Sequence, residues 1–153
     1  MNLLGLVADV NARDYQKCEP LAFAVNYNDW TFVALLLQHG ADVNNQDWEG
    51  DVPLFEAVSS SVHKSARILF EYDADYTNIK DKVWGILHHL AAKGDTQMIP
   101  LFTETRMRGI DRSLPKLDGK TAMDLLEERP VVSSVPLLVE IMRDNDLAKC
   151  KVP

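Results

Sequence analysis

The sequence predicts an all-α fold built from stacked helix–turn–helix units, on three observations. One apolar phrase recurs at a constant interval, as "NLLGLVADVNARD", "LLLQHGADVNNQD" and "ILFEYDADYTNIK", beginning at Asn2, Leu35 and Ile68. Pro20 and Pro53 keep the same interval of 33, each followed by Leu (Leu21, Leu54) and then Ala (Ala24, Ala57). Between these landmarks the apolar residues fall at three- and four-residue spacing, the period of a helix face. A fixed period of this length marks a repeat array, in which each copy is one supersecondary unit.

The units follow in order. Residues 1–13 supply only the end of one, with no first helix before it. In residues 14–46, Pro20 sits where a first helical turn tolerates a missing N–H, and Leu21, Ala24 and Val25 follow on one face. A second helix runs through Phe32, Leu35 and Leu36 to Gly40, the residue type that most readily takes the left-handed conformation closing a helix. Residues 47–79 repeat the pattern with Pro53, Leu54, Ala57, Leu69 and Phe70. In residues 80–113, Ile86, Leu87 and His88 replace the Pro-Leu start, yet "HHLAAKGD" keeps a first helix. One period beyond Ile86 is position 119, yet the next landmark is Ala122, so three extra residues lengthen the loop between Thr105 and Pro115. Residues 114–148 close the array, ending on an apolar face followed by charges, as an end cap requires.

One helix pair cannot bury its own apolar face, so copies must stack. Small Ala24 and Ala57 let helices approach, and the expected buried set is Ala24, Ala57, Leu36, Leu69, Leu87, Leu101 and Leu125. The cut first copy leaves an exposed apolar edge. The expectation is that a longer parent chain precedes it or that a partner covers it.

Composition bounds the function. With 46% hydrophobic and 25% charged residues over 153 positions, the chain is ordinary globular material. A formal charge of −7, from 23 acids against 16 bases, argues against nucleic acid or anionic lipid as partner. Cys18 and Cys150 lie far apart without CxxC spacing, which suggests reduced thiols and an intracellular home, cytoplasm or nucleus. No stretch is long and apolar enough for a signal sequence or a membrane span.

The 33-residue period, the "PL..A" of Pro20 and Pro53, "LLLQHGADVN" and "DGKTAMDLL" together resemble the ankyrin repeat family. The resemblance covers almost the whole chain: a partial unit at about 1–13, then 14–46, 47–79, 80–113 and 114–148, all within one domain. It implies an all-α solenoid of helix–turn–helix units with outward β-turn fingers. The family's capping Thr survives only as Thr121, while Glu19, Val52 and Gly85 stand at the equivalent places, so those helices should be less well capped, at about 1 kcal/mol each.

Catalytic signatures are scarce: the sequence has no GxGxxG, Walker loop, HExxH or GxSxG. "HGADVNNQDWEGD" spaces acids like a calcium loop but misplaces its glycine and glutamate. His39 precedes Gly40, where a helix end favours it. His88 and His89 diverge on a helix, and His63 stands alone, so no metal is expected. Cys18 and Cys150 have no histidine beside them to make a nucleophile. Arg106, Arg108 and Arg112 read first as a solvated loop, with an acidic or phosphorylated contact as the lesser expectation. Neither an enzyme nor a cofactor is expected.

What the resemblance implies is recognition of a protein partner by finger tips and the exposed side of the first helices. Carried onto this sequence, the partner-binding residues are Tyr15, Gln16, Tyr27, Trp48, Glu49, Asp51, Glu56, Asp81, Lys82, Trp84 and His89. Tyr15, Trp48, Trp84 and Tyr27 fall outside the helical apolar stripes, and acids accompany them. The expected partner is a protein or peptide with an apolar anchor flanked by Lys or Arg, bound to a monomer. The alternative is a regulatory or scaffolding region packed against other domains of a parent enzyme or channel. The resemblance further implies Asn44, and secondarily Asn11, as candidates for asparaginyl hydroxylation.

Overall fold

Pro20 and Pro53 both begin helices. The computed structural model describes residues 8–75, 85–104, 119–127, 136 and 139, and the chain divides into two compact units, residues 1–75 and 76–153. In the first unit, α1 (Pro20–Asn26) and α2 (Trp30–Gln38) form one helix pair, and α3 (Pro53–Ser59) and α4 (His63–Glu71) the next. The described residues contain no strand and no helix long and apolar enough to cross a membrane.

The backbone repeats as faithfully as the side chains. Left-handed residues recur every 33 positions: Lys17 and Gly50 in the fingers, Asn28, Ser61 and Gly94 between helices, Gly40 and Asp73 after the second helices. Gly119, also left-handed at φ 78°, lies beyond Gly50 by two periods plus the three-residue insertion read from sequence. The turn geometry, more than residue identity, is what the period conserves.

Packing makes two layers. α1 packs on α2 and α3, α3 on α4, and α2 on α4, so first helices form one layer and second helices the other. Leu21, Val25, Val33, Leu36, Leu54, Val58, Ala66 and Leu69 are buried between them. Ala24 and Ala57 are buried as expected, where their small side chains allow close approach. Phe32 and Leu35, on the same helix as buried Leu36, are 43% and 47% exposed. One period on, the same register is held by Ser65, which is buried, and Ile68, which is half-buried.

Glu19, Val52 and Gly85 make no side-chain cap, as the sequence implies. The second helix is served better: Asp29 Oδ1 accepts from Phe32 N at 3.0 Å and from Thr31 Oγ1 at 2.6 Å. Those two bonds, the Thr31 hydroxyl first, hold its carboxyl below the usual aspartate range.

The second unit contains α5 (Ile86–Lys93), α6 (Met98–Glu104) and α7 (Ala122–Glu127), with α5 packed on α7. Ile86, Leu87, Leu90, Met98, Ile99, Leu101 and Phe102 are buried. Leu125, expected in the core, is only half-buried on its short helix. Thr121 and Asp124 cap α7 reciprocally: Thr121 N donates to Asp124 Oδ2 at 2.6 Å and Asp124 N to Thr121 Oγ1 at 3.2 Å. The lengthened loop from Thr105 to Pro115, the arginine cluster and Cys150 lie outside the described residues.

Candidate partner-binding surface

Each finger is built by one aspartate. Asp14 Oδ1 accepts from Gln16 N at 2.8 Å and Cys18 N at 2.9 Å, while Asp14 N donates to Cys18 O at 3.1 Å. Asp47 repeats this one period on, accepting from Glu49 N at 2.8 Å and Asp51 N at 2.9 Å. Short polar side chains bonded to their own backbone two residues on make tight turns without help from a core. The two fingers are joined by Trp48 N donating to Gln16 O at 3.0 Å.

A finger closed on itself leaves its tip residues nowhere to go but outward. Tyr15 is 92% and Trp48 61% exposed at equivalent tip positions, and Tyr27, at the end of α1, is 82% exposed. Sequence reasoning kept all three out of the core. Behind the tips an open depression separates the first finger and α1 from the second finger and α3. Cys18, Ala22, Phe23 and Asn26 line one side, and Asp47, Asp51, Val52, Pro53 and Glu56 the other. Its walls mix apolar side chains with three carboxylates, and its charges are all acidic. Burial, then Asp14 and Asp47, push the Cys18 thiol up from its ordinary value, so it stays protonated at neutral pH.

Of the residues expected from sequence, the structure brings Asp51 and Glu56 into this depression and sets Tyr15, Gln16, Tyr27, Trp48 and Glu49 on the same two fingers and helix α1. His89 is half-buried on α5, in the second unit. Asp81, Lys82 and Trp84 lie outside the described residues.

One feature of the surface was not legible in the sequence. Arg13 Nε donates to Glu19 Oε1 at 3.0 Å and its Nη2 to Asn45 Oδ1 at 2.7 Å, tying the base of the first finger to the junction with the next unit. Glu19 and Asn45 are buried, at 2% and 3% exposure. The only signal was negative: an acid where the family has its capping Thr.

The junctions themselves are held by asparagines. Asn11 Oδ1 accepts from Asp42 N at 2.9 Å, and Asn44 Oδ1 accepts from Asp75 N at 2.7 Å, the same bond one period later. Asn44 is exposed.

A family model described as ankyrin repeats, in three copies, matches residues 2–81, more than half of the chain. No curated protein matches it. With the recurring left-handed turns, the paired helices and the hydrogen-bonded fingers, the match shows that this chain belongs to the ankyrin repeat family.

Proposed function

We propose that the first unit binds a protein segment carrying an apolar anchor flanked by Lys or Arg, on the surface formed by its two fingers and first helices. Ankyrin repeats are in general protein–protein interaction modules. The observation that carries the finer reading is the exposure of Tyr15, Tyr27 and Trp48 on the same fingers and helix whose residues line a depression of apolar and acidic side chains. Rigid aromatics on such a surface are the residues most often found as hot spots. The acids act mainly on encounter, so association should slow as salt rises. Binding, without catalysis, is the activity proposed for this surface, inside the cell.

A displayed library of random peptides selected on the purified chain tests this. Enriched sequences should pair a large apolar residue with Lys or Arg within a few positions. Enrichment of acidic sequences, or of none, would refute it. Asn44, exposed and with its oxygen committed to Asp75, belongs to the proposal as a hydroxylation site. Peptide mass analysis of protein from its own cells should then show one added oxygen on the Asn44 peptide, and its absence would remove that part alone.

A further inference from the structure

The two sides of the depression differ in charge. On the side of α1 the lining is neutral, with Ala22 and Phe23 apolar and the Cys18 thiol protonated at neutral pH. On the facing side stand Asp47 and Asp51 of the second finger and Glu56 in the first turn of α3, all three half-buried. No basic side chain among the described residues lines the depression. The repeat itself does not require Asp51 or Glu56, because one period earlier the same positions hold Cys18 and Phe23. Two of the carboxylates are partly committed. Asp47 Oδ1 accepts from Glu49 N and Asp51 N, and Glu56 Oε1 accepts from the Ser60 hydroxyl at 2.9 Å. Among the described residues, each keeps one oxygen for a guest rather than a pair.

A cleft with one neutral wall and one acidic wall suits a side chain that has an apolar stem and a positive end, which lysine and arginine both have. The committed oxygens choose between them. A guanidinium gains most by spanning both oxygens of one carboxylate, whereas an ammonium presents three donors from a single point and is satisfied by single oxygens of separate groups. Resting on the peptide-binding reading above, we infer that the depression is a lysine-reading subsite. The partner's lysine lays its methylene stem along Ala22 and Phe23 and sets its ammonium among Asp47, Asp51 and Glu56, while the apolar anchor stays on Tyr15, Tyr27 and Trp48. Acetylation of that lysine removes its charge and leaves half-buried carboxylates unanswered, so the modification releases the partner.

Selection of the displayed random-peptide library on the native chain and on Glu56→Gln tests this assignment apart from the reading it rests on. Native selection should enrich Lys above Arg beside the apolar residue, and selection on Glu56→Gln should keep the apolar residue and lose the preference for Lys. An enriched peptide is then resynthesised with Arg, norleucine or Nε-acetyl-lysine in place of that lysine. In titration calorimetry on the native chain, norleucine and acetyl-lysine should each weaken binding by at least about tenfold, and Arg should bind more weakly than Lys. This series needs no variant protein, so it decides even if a melting curve shows that Glu56→Gln does not fold. Arg binding as well as Lys, acetyl-lysine binding as lysine does, or an undiminished Lys preference on folded Glu56→Gln overturns the inference and leaves the peptide-binding reading standing. Failure to enrich any pairing of apolar and basic residues overturns both.

Discussion

Lys17 holds a left-handed backbone, φ 60°, at the place where the next finger uses Gly50 at 83°. A side chain there costs energy that glycine avoids, partly offset by glycine's greater freedom in the unfolded chain. Lys17→Gly should therefore stabilise by up to about 1 kcal/mol, and Gly50→Ala should destabilise by about as much although nothing lies within 4 Å of its added Cβ. Chemical denaturation of both variants checks the pair. Asp29 offers a second residue-scale test. Its folded-state pKa lies below the ordinary value of 3.8, so protonation favours the unfolded chain. Its contribution is whole above about pH 4 and fades as pH falls through the folded value. Asp29→Ala should lower the melting temperature by a few degrees at neutral pH and by little near pH 2, measured by circular dichroism. This cap was not legible in the sequence because the family's landmark lies at the first helix, where Thr is replaced, and the aspartate stands one helix later. Cys18, its thiol held neutral chiefly by burial, should alkylate slowly at neutral pH, with the rate still climbing above pH 9.

Helix by helix, the core follows from spacing alone. Leu69 is fully buried on α4, and Leu69→Ala should cost about 2–5 kcal/mol through lost transfer energy and the cavity left behind. Gln16 and Glu49, exposed on the fingers, should each cost far less. A denaturant series that ranked them the other way would break the repeat register. The period placed Leu36, Leu69, Leu87 and Leu101 correctly because those positions face a neighbour in any stacked pair. Phe32 and Leu35, apolar yet more than two-fifths exposed, show that periodicity tells which side of a helix is apolar and not whether another helix stands there. Leu125, on the six-residue α7, is half-buried where the period expected it in the core.

At the scale of the first unit, the fingers and helices combine into a surface no single residue announces. Tyr15 and Trp48 were legible as binding candidates because they sit on turn residues, off the helical stripes. The depression between them was not, since Val52 and Pro53 read in sequence as scaffold and only the fold sets them beside Asp47 and Glu56. If this surface is the site, binding and folding should separate cleanly. The decisive measurement is titration calorimetry of a library-selected peptide against the native chain, Trp48→Ala and Lys64→Ala, with a melting curve for each. The account predicts that Trp48→Ala loses at least tenfold in affinity, about 1.4 kcal/mol, at an unchanged melting temperature, while Lys64→Ala, at the start of the second-layer helix α4, binds as the native chain does. Unchanged affinity in Trp48→Ala, or loss of its folding, would contradict it.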